Sequence, residues 1–319
     1  MHIKRVTPIP AKKFGLPIKE RKIIMADYII SGCSIADLSE EHFKQRDIQY
    51  VCFHYSLDGV QHLDDLGKTM SLEDFYGAME KGAETKTSQV SAGEFVEYFT
   101  PFLEAGKDII HVCISSGISG TVNAANVAKD TLSQEYPDRK IYIVDSLTAS
   151  SGVGLILDKM ADLRDEGYTV DDLYAWVEEN KLRAHAWFFT TDLTYFVKGG
   201  RVSKVSGWAG TILKICPLLN VDVNGKLIPR EKIRTKAKVI SGIVGKMAAL
   251  ADGRTEYGEK CFLSHSNCLC DAEAVAKLVN EKIPGTQGKT YINNIGTTIG
   301  SHTGPGTVAL FFWGDKRVD

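Results

Sequence analysis

The chain has 319 residues, 44% of them hydrophobic and 24% charged, with a formal net charge of −2. That length fits two domains, each able to bury an ordinary core, while the near-neutral charge offers no field for nucleic acid and no apolar run approaches a membrane span. Seven cysteines, odd in number and irregular in spacing, suit reduced thiols in the cytoplasm better than a disulfide framework.

The first 25 residues carry seven Lys/Arg, one Glu and three prolines (Pro8, Pro10, Pro17). Such a stretch packs poorly as helix or strand, so residues 1–26 are expected to form a flexible basic extension, with Met25 as an alternative start. It also lacks the apolar segment of a secretory signal.

From Tyr28 the pattern alternates. Tyr28–Ser31 and Ile48–Leu57 read as strands, the second ending at the Asp58-Gly59 turn signal. Ser71 opens one helix. Ser91-Ala92-Gly93-Glu94 opens another with a capping-box pattern, and Phe95, Phe99, Phe102 and Leu103 fall on its core face. Ile109–Ile114 is a continuous apolar run, as a buried parallel strand requires. A helix from Thr121, a strand over Ile141–Val144 and a helix from Ser150 follow. This alternation predicts an α/β fold over residues 27–183: a three-layer domain with a mostly parallel sheet. Near residue 184 the grammar changes. Pro217–Val223 and Lys226–Arg234 read as a hairpin around Asn224-Gly225. A helix over 236–250 and strands at Cys261–Ser264, Thr290–Asn293 and Thr307–Trp313 follow. Residues 184–319 are therefore expected to form a C-terminal two-layer α+β domain with mixed or antiparallel pairing.

Three tracts supply hydroxyls and one imidazole in glycine-rich backbone: Thr87-Ser88-Gln89, Ser115-Ser116-Gly117-Ile118-Ser119-Gly120-Thr121, and Ile295 to Gly306 around Ser301-His302-Thr303. Backbone N–H groups beside such turns lie open to an anion, so the tracts read as a place to hold an acidic head group without a metal. Several polar clusters have blander readings. Asp64-Asp65 and Glu73-Asp74 read as solvated charges or helix-start acids. His265, Cys268 and Cys270 lack the second ligand pair of a structural zinc site. No nucleophile elbow, phosphate loop or dinucleotide fingerprint is present.

Five words stand in order along the chain: Lys86-Thr87-Ser88-Gln89, Ser115 to Thr121, Val144-Asp145-Ser146, Lys198-Gly199-Gly200-Arg201-Val202-Ser203 and Ile299 to Gly306. In them the chain resembles the DegV family of bacterial fatty-acid-binding proteins, over roughly residues 27–315. The resemblance implies a long-chain fatty acid as the bound ligand, with no other cofactor. It places the acyl chain mainly in the first domain and the head group between the domains. It also implies a fatty acid kinase subunit as partner, to which the carboxylate is presented for conversion to an acyl phosphate. Carried over by position, it assigns the carboxylate to Thr87, Ser116, His302 and Arg201, with Ser88, Ser115, Ser119 and Ser34 in support. One departure stands out: Cys33-Ser34 occupies the place where the family usually has an aspartate–serine pair.

Each charge-assisted bond to a carboxylate is worth about 1.5–3 kcal/mol, whereas a dozen buried methylenes contribute on the order of 10 kcal/mol before association costs. The tail would dominate affinity and the head group would fix direction. That suits a non-enzymatic carrier in transient contact with a membrane surface and with no nucleic-acid partner. Two other readings stay open: a serine-dependent acyl hydrolase using Ser116 and His302, and a binder of a small polar ligand.

Overall fold

The strand–helix alternation is realised as two lobes joined along a buried helix. The structure, a computed structural model, describes residues 27–202 and 215–318. The basic N-terminal stretch with Met25, and Ser203 at the end of the fourth sequence word, lie outside the described residues.

In chain order the first lobe contains β1 (Tyr28–Cys33), α1 (Glu40–Gln45), β2 (Ile48–Val51), β3 (His54–Leu57), β4 (Val60–Leu63), α2 (Leu72–Glu80), β5 (Thr85–Ser88), α3 (Ala92–Glu104), β6 (Asp108–Cys113), α4 (Thr121–Glu135), β7 (Ile141–Asp145), α5 (Ser151–Asp165) and α6 (Val170–Asn180). The second contains β8 (Ala184–Phe189), α7 (Thr194–Lys198), β9 (Ile215–Val221), β10 (Leu227–Arg234), α8 (Lys236–Leu250), β11 (Cys261–His265), α9 (Leu269–Lys282), β12 (Thr290–Asn294), α10 (Thr297–Thr303) and β13 (Val308–Trp313).

The main first-lobe sheet runs β2-β1-β6-β7 and is parallel throughout, as its apolar strands require. The second-lobe sheet runs β10-β9-β8-β13-β11-β12. It is antiparallel except for β11–β12, which α9 connects as a parallel crossover. This is the expected fold class: a parallel α/β lobe followed by a mixed α+β lobe.

The helix starts follow local chemistry. Ser91 accepts from the Glu94 N–H while Glu94 accepts from the Ser91 N–H, so both orphan donors at the start of α3 are satisfied. Phe95, Phe99 and Leu103 then point into the core. Glu73 and Asp74 sit in the first turn of α2, as helix-start acids should.

Two expectations need correction. Ile48–Leu57 is not one strand. At Cys52-Phe53 the chain leaves the parallel sheet, with the Phe53 N–H held by Ser34 Oγ at 3.1 Å, and enters a separate three-stranded sheet ordered β4-β3-β5. Asp64 is not a solvated charge. It is buried, accepting from Ser34 Oγ at 3.2 Å and from Thr297 Oγ1 at 2.9 Å.

Helix α5 explains why the lobes form one body. Eleven of its fifteen residues are buried, and it packs against strands of both large sheets. A helix apolar over most of its faces belongs in an interior, and the charged residues of α5 collect toward its C-terminal end. Its one buried carboxylate, Asp158, meets His42 at 2.9 Å from the first lobe and Lys260 at 2.6 Å from the second. Burial alone would raise the Asp158 pKa, but these two partners outweigh it and hold it below the usual carboxylate range.

Candidate functional site

A cavity of about 640 Å³ opens between the lobes. Its floor is the inner face of the second-lobe sheet, presented by Ala186 and Phe188 of β8 and by Ala309 and Phe311 of β13. Phe53, Ile114 and Ile118 come from loops at the carboxyl ends of the first-lobe strands, where ligands of parallel α/β sheets bind. The resemblance places the acyl chain mainly in the first domain. The cavity draws its walls from both lobes, with residues of the second-lobe sheet as its floor.

Three of the hydroxyls that line this space spend their protons on the protein. Ser150 Oγ donates to the Asp37 carboxylate, Thr303 Oγ1 to the Gly304 carbonyl and Thr307 Oγ1 to the Thr303 carbonyl. A fourth lining hydroxyl, Thr298 Oγ1 near the start of α10, is buried without a hydrogen-bond partner among the described residues.

The polar end is different. Thr87 lies on β5, opposite Tyr55 of β3. Its Oγ1 lies 2.8 Å from His302 Nε2 on α10. The sequence suggested a glycine-rich turn around His302, but Thr297–Thr303 is helical. The positive-φ residues Gly304 and Gly306 come only after it. Burial, and then the nearby charge of Arg201, lower the His302 pKa to about 4, so the ring is neutral at pH 7. Its Nδ1 is buried without a partner among the described residues. A Cβ at position 199 would collide with this ring, which explains the first glycine of the Gly199-Gly200-Arg201 turn.

Arg201 follows that turn and is half-buried. Its Nη1 donates to the Gly199 carbonyl at 2.6 Å, and burial lowers its pKa. Among the described residues no carboxylate forms an ion pair with it. A guanidinium stays charged at any physiological pH. The site therefore keeps a cation facing a partly apolar cavity with no counter-ion of its own, an arrangement that invites an anion.

The serines separate into two groups. Ser119 and Ser88 line the cavity. Ser119 Oγ lies 2.7 Å from Thr121 Oγ1 and 3.4 Å from the Gln89 amide oxygen, within reach of a head group at the polar end. Ser115 is buried outside the cavity wall, donating to the Gly225 carbonyl at 2.9 Å and accepting from the Gly117 N–H. Gly225 has φ +70°, and a side chain there would run into the Ser115 hydroxyl. Ser116 is exposed and does not line the cavity; its N–H donates to Asp145 at 3.1 Å. Ser34 lies outside the wall as well, its hydroxyl committed to Asp64. No hydrogen bond joins Ser116 to His302, so the pair required for a hydrolase is not assembled.

Sequence reasoning brought Thr87, His302, Arg201, Ser119 and Ser88 to one place. It missed the second-lobe floor, whose only sequence trace is the small–large alternation Ala186/Phe188 and Ala309/Phe311. It also missed the buried carboxylates Asp37 and Asp64, which hold the start of α10. Among the described residues no group of three His, Cys, Asp or Glu side chains could hold a metal.

Comparison with known proteins agrees with this architecture. Residues 32–315 match the DegV family, described as an uncharacterised protein family. A DegV domain-containing protein of Clostridium perfringens is 33% identical over 293 residues, covering 92% of this chain and 99% of its own. Two solved structures from Thermotoga maritima are each 26% identical. One, a DegV lipid binding protein, superposes with a TM-score of 0.76 over 91% of this chain and 99% of its own. The other, a hypothetical protein whose structure revealed a fatty acid binding function, gives 0.74 over 90% and 99%. With a family match spanning nearly the whole described chain and a relative aligned end to end, this protein belongs to the DegV family.

Proposed function

We propose that the protein binds one long-chain fatty acid, carboxylate at the polar end and acyl chain along the second-lobe floor, and that it holds the acid without transforming it. The observation that carries this reading is Arg201, a half-buried cation without a counter-ion among the described residues, at the edge of a cavity of about 640 Å³ whose floor is apolar. The fatty acid binding of the Thermotoga maritima relative supports it. That volume lies within the usual range for small-molecule sites.

The clasp is assigned to Arg201, Thr87, His302 and Ser119, with Ser88 beside them. Ser119 takes the place that the resemblance gave Ser116, because Ser119 faces the cavity and Ser116 does not. Ser115 and Ser34 support the site from behind, through Gly225 and Asp64. Ser88, Gln89 and Gly120 are exposed and also line the cavity, so the carboxylate end is the end nearer solvent. This polarity suits presentation of the carboxylate to a fatty acid kinase, which would transfer the γ-phosphoryl group of a nucleoside triphosphate to a carboxylate oxygen, giving the acyl phosphate and releasing the nucleoside diphosphate. Seven free thiols suit action in the reducing cytoplasm. Transient membrane contact would serve loading.

Native mass spectrometry and lipid extraction of protein purified from cells test the reading. A co-purified fatty acid is expected. Arg201→Met should weaken binding by about ten- to a hundredfold, the loss of one charge-assisted interaction. A protein that takes up no fatty acid, or an Arg201→Met variant that binds as tightly as the parent, would refute it.

A further inference from the structure

We infer that Ala186 and Ala309 set the length of acyl chain this protein accepts; the inference rests on the fatty-acid reading above. β8 and β13 are antiparallel neighbours, with Ala186 opposite Phe311 and Phe188 opposite Ala309. Directly opposed residues share a face of the sheet, and so do residues two apart on a strand, so all four side chains point into the cavity. The two rings occupy one diagonal of this patch and the two methyls the other. A trough therefore runs between Phe188 and Phe311, with Ala186 and Ala309 at its bottom.

The trough has a near end and a far end. Phe188 stacks on Phe196 with ring centroids 5.6 Å apart, and the Arg201 N–H donates to the Phe196 carbonyl at 3.1 Å. The Phe188 end thus adjoins the clasp. Ala186 and Phe311 lie two residues further along their strands, about 7 Å deeper. There the start of α5 closes the space: a Cβ on Gly152 would come within 3.0 Å of the Phe311 ring. A chain anchored at Arg201 runs past Ala309 and ends over Ala186. Larger side chains at these two positions would occupy the volume that the last methylenes need.

The test is competition binding of dodecanoic, hexadecanoic and octadecanoic acids to the delipidated full chain, read by native mass spectrometry. Each methylene that loses its place costs roughly fourfold in affinity. Ala186→Leu adds three carbons at the floor, so octadecanoic acid should weaken by on the order of fiftyfold, while dodecanoic acid changes little. Phe311→Ala, which enlarges the same end, should shift preference toward the longest chain and keeps the test open if Ala186→Leu fails to fold. If both variants bind with the parent's length profile, the chain does not reach the trough and the inference fails, while fatty-acid binding itself stands. If the parent binds none of the three acids, it is the functional reading that fails.

Discussion

The two ends of helix α10 make an instructive pair. Both lie at the junction of the lobes, and both are polar and largely buried. At the N-terminal end every carboxylate oxygen has a donor. Asp37 receives the Gly296 N–H at 2.9 Å and the Ser150 hydroxyl, and Asp64 receives the hydroxyls of Thr297 and Ser34. At the C-terminal end His302 Nδ1 has no partner and Arg201 has no counter-ion among the described residues. The paired carboxylates hold the lobes together; the unpaired imidazole nitrogen and guanidinium belong to the proposed clasp. One short helix thus carries a structural joint at its start and, near its end, the histidine of the proposed clasp.

The sharpest way to break this comparison is to exchange the expected consequences. Asp37→Ala leaves the Gly296 N–H unpaired in the interior and the Ser150 hydroxyl with only its longer bond to Ser264 Oγ at 3.4 Å, so it should cost about 3 kcal/mol of stability, measured by urea unfolding. Arg201→Met should cost little stability, because it gives up one hydrogen bond to the Gly199 carbonyl while removing a half-buried charge that has no counter-ion among the described residues. Equal losses in the two variants would dissolve the distinction between joint and clasp.

A pH titration sharpens the clasp side. The His302 pKa falls from 6.5 to about 4 in the folded protein. As pH drops through 6.5 the unfolded chain takes up a proton that the folded chain refuses. Stability contributed by the neutral ring is therefore present above pH 6.5 and is lost progressively toward pH 4, by up to about 3 kcal/mol. The fall should flatten in His302→Gln; an unchanged profile in that variant would assign the loss to other groups. Burial acts in the opposite sense on Asp37, raising its carboxyl pKa despite the bonds from Ser150 and Gly296. Its contribution is full below the ordinary carboxylate range and is lost as pH rises through its raised folded value.

The smallest expected effect separates adjacent serines. Ser115→Ala should cost about 1 kcal/mol by orphaning the Gly225 carbonyl and the Gly117 N–H. Ser116→Ala should change neither the melting temperature nor fatty-acid affinity. A loss of affinity in Ser116→Ala with Ser119→Ala neutral would restore the assignment made from the resemblance alone.

The sequence by itself determined whatever depends on near neighbours. The capping box at Ser91 and Glu94, the helix Lys236–Leu250, the turn at Asn224-Gly225 and the parallel strand ending near Ile114 follow from patterns that repeat within a few residues. So does the order of the five words that point to the family. Tertiary structure decided which of those residues face one another. The fate of Ser115 depends on a carbonyl 110 positions away, that of Asp64 on a hydroxyl 233 positions away, and the depth of the cavity on two alanines from strands more than a hundred residues apart. Local propensity is read along the chain, whereas the partner of a hydroxyl or carboxylate, and the space beside a methyl group, exist only after distant strands have been brought together.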